Sequence, residues 1–131
     1  MPYEVVVGAG SLRSTSVASQ CFPHRWTPEG VTVEAEFSGA HLLHLAAAGC
    51  VLNDLFRESA TLGVSLRGAR VTAQGDFDTT TWHSTGITYS ADIDSDASEN
   101  EVEELLRRVD DVAEIPRAIR AGSSVERQRN L

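Results

Sequence analysis

The chain has 131 residues, of which 41% are hydrophobic and 23% are charged. This composition is ordinary for a globular domain and excludes an intrinsically disordered chain, a collagen-like repeat and a disulfide-dense mini-scaffold. The formal net charge is −8, because 19 acidic side chains face 11 basic ones. Such a charge argues against a nucleic-acid backbone or an anionic membrane as the partner.

Targeting signals are not evident. No run of ~18 apolar residues exists, and Met1 is not followed by a basic segment and an apolar one. We therefore expect neither a membrane span nor a secretory signal, and a cytoplasmic location. In a reducing compartment, Cys21 and Cys50 are expected to be inert core thiols or reactive thiols rather than a structural disulfide.

The N-terminal segment, residues 1–37, is predicted to form strands. Residues 3–7 are rich in β-branched side chains and end at a Gly-Ala-Gly turn, and residues 14–19 are predicted to complete a hairpin. Residues 21–26 are expected to be irregular because Pro23 removes a backbone donor. Residues 31–37 alternate apolar and polar side chains, which is typical of a half-buried antiparallel strand.

A long central helix is predicted over residues 38–62, with Ser38 as its N-cap and Gly63 at its C-terminal end. Its first half, residues 40–52, is apolar on nearly every face. A helix of that kind is enclosed by other elements or by a second subunit, so we expect a homodimer.

The second half of the chain continues the α+β pattern. Strands are predicted within residues 64–94, and Ser98 with Glu101 forms a capping box before a helix. Residues 98–126 are predicted to hold that helix, a short helix over 116–121 and a last strand over 123–126. The order of elements predicts one α+β domain spanning residues 1–131.

Cys50 is the first candidate for chemistry. Asp54 and Arg57 follow it at four and seven residues, near the same helical stripe, and Arg57 leans back toward it. A nearby guanidinium would favour the thiolate. The alternative is a small core thiol beside an Asp54–Arg57 ion pair.

Metal and cofactor sites have little support in the sequence. His41 and His44 are spaced to share a metal, but this helix offers no third ligand, and Cys21-x-x-His24 is a weak pair. The Walker, dinucleotide, serine-hydrolase and H-E-x-x-H motifs are all missing from the sequence. We expect no metal and no cofactor.

Several segments together resemble one known family. These are Ala46–Cys50, Asn53–Glu58, Gly63-Val64, Val71–Phe77, Gly86–Tyr89 and Ile115-Pro116. In this order, over residues 30–126, the chain resembles the osmotically inducible protein C and organic hydroperoxide resistance (OsmC/Ohr) family. The resemblance implies an α+β fold that forms an intertwined homodimer, with long buried central helices packed between antiparallel sheets.

The resemblance also implies a thiol peroxidase in which Cys50 is the peroxidatic cysteine. An Arg that holds the thiolate matches Arg13, with Arg25 as the alternative, and Arg57 is a possible further stabiliser. Leu43, Ala46 and Ala47 would favour an apolar organic hydroperoxide.

Two positions depart from the family pattern. Ile115 stands where the family has its resolving cysteine, and Ala40 stands where it has a Glu that orients the Arg. A sulfenic acid would then need an external thiol reductant, unless Cys21 replaces the resolving thiol. The open alternatives are a one-cysteine peroxidase, a degenerate dimer that binds a small apolar ligand, and a structural thiol in a protein of unrelated role.

Overall fold

The computed structural model describes residues 2–129. Its elements are β1 (Tyr3–Gly10), β2 (Gln20–Phe22), β3 (Val31–Glu34), α1 (Gly39–Leu62), β4 (Gly68–Phe77), β5 (Ser84–Asp94), α2 (Glu99–Val112) and α3 (Glu114–Ala121). The strands form one antiparallel sheet in the order β2-β3-β1-β4-β5. The α+β class predicted from the sequence is therefore confirmed.

The core lies between the sheet and α1, which packs against β1 and β4. Alternate residues of β1, namely Val5, Val7 and Ala9, are buried on the side of α1. Val6 and Gly8 line the opposite face, as the two-residue period of a strand requires. Helices α2 and α3 cover another side of α1. One face of α1, which includes Leu42, Ala46 and Asn53, stays exposed in the single chain.

The ends of the helices follow the predicted signals. The Ser38 side chain accepts a hydrogen bond from the His41 backbone N–H, and Gly63 takes a left-handed conformation with φ 71°. Ser98 and Glu101 form the predicted capping box at the start of α2. Pro116 lies in the first turn of α3, where its missing N–H has no intrahelical partner to lose.

The predicted strand over residues 14–19 is wrong. Hydroxyl groups capture the backbone there: the N–H groups of Ser14, Ser16 and Ala18 donate to Thr32 Oγ1, Ser14 Oγ and Ser16 Oγ. Such local bonds compete with a strand ladder. The second strand is instead β2, which includes Cys21 and Phe22. Pro23 follows β2 directly, and β2 is an edge strand, so its missing donor costs nothing.

Three other strand predictions need correction. The third strand ends at Glu34 rather than residue 37, because the chain turns toward the helix cap and leaves Phe37 91% exposed. Residues 64–66 are not a strand, and β4 begins at Gly68. Residues 123–126 are also not a strand, because Val125, the one large apolar side chain there, is 95% exposed and has no core to join.

Within residues 2–129, every helix falls short of the length and apolar content needed to cross a bilayer.

Candidate active site around Cys50

The Cys50 thiol lies on α1 at the wall of a cleft of about 400 Å³. The residue is 7% exposed. The middle of α1, which carries Cys50, lies against the start of α3 at this cleft. The cleft is lined by Trp26, Leu45, Ala46, Gly49, Cys50, Asn53, Asp54, Arg57, Glu114 and Ile115.

The surroundings of the sulfur oppose its ionisation. Burial is the largest cause that raises the pKa of the Cys50 thiol, and the Asp54 and Glu114 carboxylates raise it further. The backbone amides of Ile115 and Glu114, at the start of α3, act in the opposite direction and favour the thiolate. The pKa remains above its ordinary value.

Asp54 is the most deeply placed carboxylate of the cleft, at 2% exposure. Arg57 Nη2 lies 3.0 Å from Asp54 Oδ2, yet that oxygen accepts no hydrogen bond. Burial raises the pKa of Asp54, and the Arg57 charge offsets this in part. The predicted Asp54–Arg57 ion pair is therefore present. The Arg57 guanidinium, which the sequence placed near Cys50, pairs with the Asp54 carboxylate.

Glu58 connects α1 to α2 beneath this cleft. Its carboxylate accepts hydrogen bonds from Arg108 Nε and, at 3.3 Å, from Arg57 Nε. The bond from Arg108 is the main reason that the pKa of Glu58 lies below its usual range. The pair is mostly buried on the Glu58 side, so it joins the two helices as well as neutralising the carboxylate.

Removing this charge gives the first testable prediction. Because the folded-state pKa of Glu58 is depressed, its ionised form stabilises the protein above the unfolded-state pKa, and that contribution is lost as pH falls through the folded-state pKa. Glu58→Gln is therefore expected to lower the free energy of unfolding by about 1–2 kcal/mol at pH 7. The difference from the wild type should shrink below about pH 4.

Urea denaturation of both proteins at pH 7 and at acidic pH measures this difference. Glu103→Gln, on the exposed face of α2, is the matched control and should leave stability unchanged at both values. A Glu58→Gln deficit that stays constant down to acidic pH would show that charge is not what Glu58 contributes.

A second, apolar cleft of about 320 Å³ adjoins the first. The two share Trp26, Leu45, Gly49 and Asn53. Its outer wall is the loop after β2, which His24 ties to Asn53 of α1 at 3.0 Å and to Thr27 at 2.7 Å. The remaining lining residues are Val7, Phe22, Pro23, His24, Arg25, Val31, Val33 and Leu52.

The two alternative arginines lie in different places. Arg13 lines a polar cleft with Val6 and Gly8, so it lies on the face of the sheet opposite α1 in the same subunit. Arg25 lines the apolar cleft, and its guanidinium carbon stands 5.8 Å from the centre of the Trp26 ring. Arg57 alone of the three lines the Cys50 cleft itself.

The other predicted site residues are placed as follows. Ile115, at the position expected for a resolving cysteine, does line the Cys50 cleft, and so does Ala46. Leu43 and Ala47 line neither cleft, and Ala47 is buried. Cys21 is exposed on β2, where its Sγ donates to the Glu29 carbonyl at 3.3 Å, and both thiols are free.

The histidine pair has other partners. His41 contacts Ser38 at 2.6 Å and Glu36 at 3.5 Å. The Nδ1 of His44 lies 2.6 Å from the Ala40 carbonyl oxygen, and its buried Nε2 has no hydrogen-bond partner. Within residues 2–129, the group of side chains placed to share an ion is instead Cys50, Asp54 and Glu114.

Two residues of the site were missed from the sequence. Glu114 directly precedes Ile115, so carrying the family's resolving position onto Ile115 could have placed Glu114 near Cys50. Trp26 belongs to a segment without periodicity, and only the path of the loop over α1 brings it to the cleft.

The chain is similar to one sequence family and to solved structures of that family. The family model described as OsmC-like protein matches residues 24–127. No curated protein sequence matches the chain at a significant level.

Two solved structures share the fold. An OsmC-like protein from Mycoplasma pneumoniae is 15% identical, with a TM-score of 0.62 over 74% of this chain and 77% of that one. An OsmC-like hydroperoxide resistance protein from Jannaschia sp. CCS1 is 8% identical, with a TM-score of 0.55 over 99% of this chain and 94% of that one. At these identities the likeness establishes the fold.

Proposed function

Because the chain belongs to the OsmC-like protein family, we propose that it reduces organic hydroperoxides through the single thiol of Cys50. The observation that supports this most directly is that an apolar cleft adjoins the cleft that this thiol lines. The Cys50 cleft has room for a peroxide group, and the adjoining apolar cleft has room for the organic group attached to it.

The proposed chemical step is the attack of a thiolate on a peroxide. The Cys50 thiolate attacks the distal oxygen of the peroxide, the S–O bond forms and the O–O bond breaks. Sulfur is oxidised to a sulfenic acid, and the leaving alkoxide takes a proton to become an alcohol. Two molecules of an external thiol then reduce the sulfenic acid to the thiol, and they leave as a disulfide with release of one water molecule.

Three groups of the cleft are proposed to assist. The amides of Ile115 and Glu114 stabilise negative charge on the sulfur, since both lower its pKa. Arg25 is proposed as the cation that meets the substrate, because it lines the adjoining cleft. Arg25 is preferred to Arg13, which lines a cleft on the face of the sheet opposite α1 of the same subunit.

The active form is proposed to be a homodimer in the cytoplasm. Phe37, Leu42 and Trp26 are exposed apolar side chains near the start of α1 and beside the clefts. A second subunit that covers them would remove this surface from water and narrow the entrance to the clefts. Two free thiols fit a reducing compartment.

A second candidate is a non-catalytic protein that binds a small apolar ligand in the 320 Å³ cleft. The observation in its favour is that two carboxylates, Asp54 and Glu114, lie beside the thiol at a place where a cation would be expected. In that case the apolar cleft would be the functional element and Cys50 part of its wall.

Trp26→Ala tests the role of the apolar cleft. Losing this ring is expected to lower kcat/KM for cumene hydroperoxide by roughly tenfold or more, with little effect on hydrogen peroxide, which has no organic group to place there. Trp82→Ala, in the β4–β5 turn, removes the same side chain away from both clefts and is the matched control. Equal losses of kcat/KM for both peroxides would show that the apolar cleft does not bind the organic group.

A further inference from the structure

The His24 imidazole joins the loop over the apolar cleft to α1. Its Nε2 atom lies 3.0 Å from Asn53 Oδ1, and its Nδ1 atom lies 2.7 Å from Thr27 Oγ1. Asn53 belongs to α1, whereas Thr27 belongs to a turn that closes on Gly30. Among residues 2–129, the bond to Asn53 is the one side-chain hydrogen bond between residues 23–30 and α1.

Aromatic contacts hold the same ring in place. The centre of the His24 ring lies 5.5 Å from that of Phe56 on α1, with the two planes at 79°. It lies 5.4 Å from that of Trp26 in the loop. Edge-to-face contacts of this kind are favourable and depend on the orientation of the ring. Because Phe56 and Thr27 are both buried, the imidazole is in contact with fixed groups on two sides.

The hydrogen bond to α1 needs a donor at position 24. Asn53 presents its amide oxygen, which only accepts, so Nε2 of His24 donates to it. A glutamine side chain at this position has an amide N–H that can donate to the same oxygen. A leucine side chain has comparable bulk and no donor. These two replacements therefore separate the hydrogen bond from the volume of the ring.

The position of this loop affects both clefts. Asn53 and Trp26 each line the apolar cleft and the Cys50 cleft. Asn53 follows Cys50 by three residues on α1, so the hydrogen bond lies within about one helical turn of the thiol. We propose that His24 is a positioning residue that sets substrate specificity. It holds the loop against α1 and keeps the apolar cleft shaped for the organic group of a hydroperoxide, an inference that rests on the proposed function.

The choice between two peroxides tests this role. Hydrogen peroxide has no organic group, so its reaction at Cys50 makes no use of the apolar cleft. His24→Leu is expected to lower kcat/KM for cumene hydroperoxide about 3–10-fold, the effect of one net hydrogen bond. The kcat/KM for hydrogen peroxide should stay unchanged, which also shows that the variant is folded and that its thiol is accessible.

Three further variants identify the hydrogen bond as the cause. His24→Gln should retain the preference of the wild type, because the donor to Asn53 is kept. Asn53→Ala removes the acceptor and should reproduce the loss seen in His24→Leu. The double variant should lose no more than either single variant, since both remove the same bond. His83→Leu makes the same replacement in the β4–β5 turn, away from both clefts, and is the matched control.

A binding measurement without peroxide separates this proposal from the peroxidase activity. Cumyl alcohol, the product of cumene hydroperoxide reduction, carries the same organic group and no peroxide. In a Trp82→Phe background Trp26 is the one remaining tryptophan, and its emission reports a ligand in the adjoining cleft. His24→Leu should raise the Kd of cumyl alcohol about 3–10-fold, and His24→Gln should leave it unchanged.

The outcomes divide clearly. A His24→Leu variant that matches the wild type in both measurements would overturn the proposal, and so would a His24→Gln variant as impaired as His24→Leu. Equal losses for both peroxides, or a wild type that does not bind cumyl alcohol, would overturn it as well. A protein that reduces no peroxide but binds cumyl alcohol in this His24-dependent way would refute the peroxidase function alone.

Discussion

Cys50→Ser is expected to abolish thiol-dependent reduction of cumene hydroperoxide. A serine hydroxyl cannot form the sulfenic acid through which the proposed reaction proceeds, and residues 2–129 offer no second thiol in this cleft. Peroxide consumption in the presence of excess dithiol measures the effect. Circular dichroism of the variant should match that of the wild type, because sulfur and oxygen differ little in size at this site.

Cys21→Ser is the control for that result. Cys21 lies exposed on the edge strand β2 and lines neither cleft, so its replacement should leave the rate with an external dithiol unchanged. If Cys21→Ser were the inactive variant and Cys50→Ser the active one, the reactive centre would lie on the sheet edge. A loss in both variants would instead point to an internal disulfide.

Leu55→Ala is expected to have the largest effect on stability. Leu55 is fully buried on α1, where the core between helix and sheet closes around it. Truncation of a buried leucine removes transfer free energy and leaves a cavity, which together cost about 2–5 kcal/mol. The measurement is the urea midpoint and slope at a fixed protein concentration, because an oligomer's stability depends on concentration.

Val125→Ala gives the comparison for Leu55→Ala. Val125 lies in the C-terminal tail at 95% exposure, so its truncation should change the free energy of unfolding by less than about 0.5 kcal/mol. A Leu55→Ala variant as stable as Val125→Ala would contradict the placement of α1 against the sheet.

Sequence periodicity predicted the helices better than the strands. The caps of α1 and α2 depend on local side-chain bonds of Ser38 and Ser98, which leave a signature a few residues long. The segment over residues 14–19 contains Thr15 and Val17, residue types that are common in strands. The Ser14 and Ser16 hydroxyls there accept hydrogen bonds from nearby backbone N–H groups instead, and local composition does not reveal this.

The site shows the same division. Cys50, Asp54 and Arg57 share a helical stripe, so their grouping could be predicted from spacing alone. Glu114 reaches them only because α3 folds back onto α1, and Trp26 only because a loop crosses the helix. Contacts of this kind depend on tertiary packing, which is why the sequence suggested Asp54 and Arg57 beside Cys50 but not Glu114.

The carboxylates beside Cys50 affect the ionisation of its thiol. Asp54 and Glu114 oppose a free thiolate on Cys50, whereas the start of α3 favours one.

The central claim is that Cys50 is the thiol that a hydroperoxide reaches through the apolar cleft. The most direct measurement is peptide mass spectrometry of the reduced protein after brief exposure to cumene hydroperoxide with dimedone present. Dimedone is expected to add at Cys50, at a higher rate with cumene hydroperoxide than with hydrogen peroxide. Little addition is expected at Cys21. Dimedone addition at Cys21 with an unmodified Cys50 would contradict it.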